Sequence, residues 1–143
     1  TATLFHEEGG VPIVSAFGEI DLFSAREFDA LLAQAIWQAG KTRGVVVDLR
    51  GVEFMDVAGL RVLIKARTAL RVTGGQLAVV CGPPTRRLFE AAGAVESFGL
   101  YPDLRVAVEG CSKPKLALIP DPPQGEKRPL MTLERAGRRQ RVR

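Results

Sequence analysis

Val45-Val46-Val47-Asp48-Leu49-Arg50-Gly51-Val52-Glu53-Phe54-Met55-Asp56-Val57-Ala58-Gly59-Leu60 is the stretch that decides the fold of this 143-residue chain. Its first third, preceded by Gly44, is continuous and β-branched, as expected of a strand covered on both faces. A helix is expected to start near Asp56. It carries Leu60, Leu63, Ile64 and Leu70 inward at helical spacing and stops at Gly74-Gly75. A doubly covered strand handing directly to an amphipathic helix is the unit from which α/β domains with parallel sheets are built.

The same alternation extends outward in both directions. Residues 3–8 and 11–18 read as short strands joined by Gly9-Gly10, a hairpin dipeptide. Pro12 has no N–H to donate, so its strand begins there or lies at an edge. Ser24-Ala25-Arg26-Glu27 has the form of a capping box, and the helix it opens ends at Gly40. Ala25, Phe28, Leu32, Ala35 and Ile36 form its buried stripe. Downstream, residues 76–81 read as a second buried strand. A helix opened by Pro83-Pro84 follows, with proline tolerated in the first turn. A very short strand at 97–99 and a last helix at 103–108 complete the pattern. The expected architecture is α/β: a mostly parallel sheet of four to five strands with about four helices.

Composition bounds what such a domain does. The net charge of +4 divides unevenly. Residues 1–110 hold 11 Lys/Arg against 13 Asp/Glu, whereas 111–143 hold 9 against 3. The expected division is therefore a domain at 1–110, sufficient for folding, and a Pro-rich basic tail at 111–143. Any nucleic-acid or membrane-surface argument rests on that tail and not on the folded domain. No apolar run reaches the roughly 18 residues of a spanning helix. The N-terminus lacks the pattern of a signal peptide, and two cysteines do not make a disulfide scaffold, so the cytoplasm is the expected compartment. One histidine, His6, and two distant cysteines offer no recognised metal spacing, and no cofactor is expected. P-loop, G-x-S-x-G and H-E-x-x-H patterns are missing, so no enzyme activity is expected.

Three segments in order resemble the STAS family, shared by bacterial anti-sigma factor antagonists and sulphate transporter tails. Gly18-Glu19-Ile20-Asp21 resembles the family's G-E-L-D. Residues 45–60 resemble its strand–loop–helix ending in F-M-D-S-S-G-L, except at Val57 and Ala58. Arg86-Arg87-Leu88-Phe89-Glu90-Ala91-Ala92-Gly93, with Phe98 and Tyr101-Pro102, resembles its third helix and the aromatic segment after it. The resemblance implies an antagonist that binds an anti-sigma factor of histidine-kinase-like ATPase fold and frees a sigma factor, regulating transcription in a bacterial stress response. It also implies that the partner doubles as a kinase for the second serine of D-S-S-G, a position held here by Ala58, which has no hydroxyl. An alternative within the family is a small cytoplasmic STAS subunit of a membrane lipid transporter or another signalling scaffold.

The resemblance places the partner contact at Asp21, Ser24, Asp56, Val57, Ala58, Gly59 and Arg61. Each also has a plain structural reading. Asp56 and Ser24 are N-caps, Asp21 a turn residue, Gly59 a flexible helix start, and Arg61 one of a solvated pair with Lys65. Leu60 is expected in the core. Ser24 and Thr85 are the hydroxyls that would replace the missing serine as phosphoacceptors. Cys81 and Cys111 are a possible redox pair controlling the switch. Their plain reading is a small buried hydrophobe and an exposed tail thiol.

Overall fold

A computed structural model describes residues 2–40 and 44–112. Five strands form one sheet in the order of the chain: β1 (Ala2–Glu8), β2 (Val11–Ile20), β3 (Val45–Met55), β4 (Leu77–Cys81) and β5 (Gly99–Tyr101). β1 runs antiparallel to β2, and every later pair is parallel. The β1–β2 turn uses Gly9 and Gly10 at φ 58° and 80°, the positive values that a tight hairpin needs at both central positions. Pro12 is the second residue of β2, and pairing with β3 starts one residue later at Ile13. Its missing N–H therefore costs no ladder bond on that side.

α1 (Ala25–Ala39), α2 (Val57–Val72) and α3 (Pro83–Ala91) cover one face, and α4 (Leu104–Ser112) packs on the other. The side-chain alternation of β3 shows why both faces need cover. Val45, Val47 and Leu49 enter the larger core with Phe28, Leu32, Leu63 and Phe89. Val46 enters the smaller one with Val11, Ile13, Ala78, Val80 and Ala107. Val45, Val46, Val47 and Leu49 are all fully buried, as a strand covered on both faces requires.

Four local expectations are corrected. β3 does not stop at Leu49. It loses β4 there and continues beside β2 alone to the pair Ile20–Met55, through two register irregularities. Residues 95–97 form a 3₁₀ turn, so the last strand starts at Gly99. α4 runs to Ser112, and a boundary after Gly110 falls inside it. Ile64 is 39% exposed and lies outside the core.

The cysteine pairing fails on geometry. Cys111 is fully buried in the α4-side core, its Sγ 3.9 Å from the Val45 carbonyl oxygen. It is not an exposed thiol. Cys81 packs on the opposite face, four residues along β4 from Leu77, the partner of Val45. Four strand residues span about 13 Å, and the sheet lies between the two thiols. A bridge needs Cα atoms within about 7 Å, so the two do not meet in this fold. Burial pushes the Cys111 thiol up to about 12 and raises that of Cys81 as well.

Candidate functional site

The β2–β3 extension brings two turns together beyond the end of the sheet. After the Ile20–Met55 pair the chains diverge, and the Asp56 N–H donates to the Ile20 carbonyl at 3.1 Å. One chain then enters the turn before α1, and the other enters α2.

Asp21 organises the first turn. Its Oδ1 accepts the N–H groups of Phe23 and Ser24, each at 3.0 Å. The Ser24 Oγ accepts the Asp21 N–H at 2.9 Å, closing the turn from the other side. This corrects the capping box: the Ser24 hydroxyl serves Asp21 and caps no N–H of α1. The Ser24 amide, helped by its hydroxyl and the Phe23 amide, holds the Asp21 carboxyl below its ordinary value of 3.8 against opposing desolvation. A lowered carboxyl stabilises the turn above that value and ceases to do so as pH falls through the lowered one. The Phe23 and Ser24 amide NMR resonances are therefore expected to shift together only below pH 3.8. A joint shift nearer neutrality would assign the turn to another group.

Asp56 caps the second turn. Its backbone is extended and its Oδ1 accepts the Ala58 N–H at 2.8 Å, as an N-cap carboxylate does. Gly59 faces inward and is buried: a Cβ there would lie 2.5 Å from Met55 Cγ and 3.0 Å from Ile20 Cγ2. It seats α2 against the strand ends, so its side-chain position is closed to a partner. Leu60 is buried as expected. Arg61 is exposed, while Ala58 is partly buried at the edge of the core.

What the sequence reading missed is the apolar character of the exposed surface. Leu22 is 71% exposed, Phe23 87%, Phe54 52% and Val57 54%. Leu22, Phe23 and Arg26 line one shallow depression. A large aromatic held out in solvent by an ordered turn is the usual anchor of a protein–protein contact. The available signal was Leu22-Phe23 inside a turn, where no periodicity calls for apolar residues. The arrangement offers a contact surface. Its two carboxylates are engaged by backbone amides, and that of Asp21 also by the Ser24 hydroxyl.

Residues 4–107 match the family model described as the STAS domain. The chain is 29% identical over 104 residues to the anti-sigma-F factor antagonist RsfB of Mycobacterium tuberculosis, covering 73% of this chain and 84% of that protein. It is 30% identical over 93 residues to an anti-sigma F factor antagonist of Paenibacillus polymyxa, covering 64% and 79%. Among solved structures, an anti-sigma factor antagonist from Mycobacterium paratuberculosis superposes with a TM-score of 0.70 at 32% identity, covering 78% of this chain and 94% of that one. Unphosphorylated SpoIIAA, at 18% identity, shares the fold with a TM-score of 0.59 over 76% and 96%.

Proposed function

The chain belongs to the STAS domain family, and on that premise we propose that it is an anti-sigma factor antagonist. In this reading it binds an anti-sigma factor of histidine-kinase-like ATPase fold and so releases a sigma factor. It acts by occupancy, as a binding protein and not an enzyme. The observation that carries the reading is the exposed apolar group Leu22, Phe23, Phe54 and Val57 around two ordered turns. Binding is assigned to the STAS domain; residues 113–143 lie outside the described structure.

Control differs from the phosphoserine switch that the family resemblance implies. A phosphate adds about −1.5 to −2 charge to a surface that must be desolvated against a partner. Val57 and Ala58 offer no hydroxyl to receive one, so the α2 mouth keeps the unphosphorylated, binding-competent form. Of the two substitute acceptors, Thr85 is fully buried with its hydroxyl donating to the Gly82 carbonyl. The Ser24 hydroxyl is engaged with Asp21.

Affinity capture from the native lysate tests the reading. Recovery of an ATPase-type anti-sigma factor is expected, with equal yield in the presence and absence of ATP. Recovery of a membrane transporter complex instead would assign the chain to a transporter. Phosphate incorporation that abolishes binding would restore control by phosphorylation at another residue.

A further inference from the structure

The outer face of α1 and α2 continues the proposed docking surface away from the two turns. Lys65 Nζ and Asp29 Oδ2 meet across the two helices at 3.0 Å. Below that pair, Leu32, Ala33, Ile36, Ala66 and Ala69 line an apolar groove of about 130 Å³. About two helical turns further along each helix come Trp37 on α1 and Val72 on α2. Both stand in solvent, 85% and 82% exposed. Trp37 is the only tryptophan of the chain.

Beside the Lys65–Asp29 pair, the unpaired charge on this face is positive. α2 carries Arg61, Lys65, Arg67 and Arg71 and no carboxylate. Lys65 is engaged by Asp29, and Arg67 by the Phe98 ring and the Ser97 carbonyl. Among the described residues Arg61 and Arg71 form no ion pair. Arg26 lies on the same α1 stripe as Ala33 and Trp37, at i, i+7 and i+11; it is exposed and forms no ion pair among the described residues.

Resting on the proposed docking role, we infer that the anti-sigma partner lays an acidic, apolar-studded face along the α1–α2 groove as far as Trp37 and Val72. Its apolar side chains fill the groove beside Ala33 and Ala69, and its carboxylates face Arg26 and Arg61. Charge complementarity selects this occupant. A second copy of the chain would set these arginines against their like. The chain's own residues 113–143 carry 9 Lys/Arg against 3 Asp/Glu and would be repelled in the same way. Rows of opposite charge steer encounter and exclude such competitors.

Trp37 makes the inference directly testable with the full chain and the captured anti-sigma factor. On mixing, Trp37 emission is expected to move to the blue as the indole leaves water, read against the partner's own emission. Trp37→Ala is expected to weaken affinity about tenfold, the effect of losing an interface anchor. Arg26→Glu with Arg61→Glu is expected to weaken it about tenfold at low salt, with the difference shrinking at high salt. Unmoved emission and undiminished affinity in a complex that Ala58→Asp still disrupts would overturn this inference and leave the docking role standing. Emission that shifts with the concentration of this chain alone would also overturn it, assigning the face to a second copy. If the captured protein is not an anti-sigma factor, the docking role falls, and the same readouts with that protein decide the groove. If nothing is captured, both fall. Should the double variant not fold, the emission of the wild-type chain still decides.

Discussion

Ala58→Asp is expected to weaken anti-sigma factor binding on the order of a hundredfold. The residue sits in the first turn of α2, its N–H on Asp56 Oδ1 at 2.8 Å, beside the exposed Val57. In the free protein a carboxylate here is tolerable, because a helix N-terminus favours negative charge and water reaches the helix mouth. In the complex it must be desolvated next to Asp56 with no cation supplied for it. Leaving a charge unpaired in an interface costs about 2–5 kcal/mol, and each 1.4 kcal/mol is tenfold. Calorimetric titration checks the affinity, and an unchanged circular dichroism spectrum checks that the fold persists. Ala58→Ser should bind like wild type, and it should accept phosphate if the partner is a kinase that recognises this loop. Undiminished binding by Ala58→Asp would remove the start of α2 from the interface.

Phe89→Ala is expected to be the most destabilising single change outside the site, by about 3–5 kcal/mol. Phe89 is fully buried, and its ring meets Phe98 edge-on at 5.2 Å and 63°. Arg67 stacks over the other ring at 4.7 Å and donates to the Ser97 carbonyl at 2.7 Å. Removing Phe89 empties the space under the nine-residue α3 and leaves Phe98 without its aromatic neighbour. Against a typical total of about 5–15 kcal/mol, that loss removes much of the stability margin. Urea unfolding should show a lower midpoint, while the folded fraction keeps wild-type affinity because the exposed surface is unchanged. An unchanged midpoint would mean that this aromatic cluster does not anchor α3.

The two predictions probe parts of the molecule that differ in how openly the sequence displays them. Phe89 lies in a segment read correctly as an amphipathic helix, because burial imposes a period that any window of residues exposes. Asp56 was legible as a cap, because a short acceptor before a helical run has one geometric use. Ser24 had the same signature and was misread. Its hydroxyl has two nearby sets of donors and acceptors, and the chain path around Asp21 decided between them. Gly59 was read as open to a partner and proves closed, because the side chains that approach it, Met55 and Ile20, come from strands brought together by folding.

By itself the sequence determined the α/β order of elements, the two-faced burial of β3, the cap at Asp56 and the missing hydroxyl at Ala58. Each follows from periodicity or local chemistry, which act between residues near in sequence. Only the tertiary structure decided which surfaces remain exposed. It carried β2 and β3 past the sheet so that the Asp21 and Asp56 turns meet, and left Leu22, Phe23, Phe54 and Val57 uncovered around them. It set Cys81 and Cys111 on opposite faces, and left Trp37 and Val72 exposed on the two helices that border one apolar groove. An apolar residue looks the same in the sequence whether a neighbour covers it or not, because burial is a property of the packed whole.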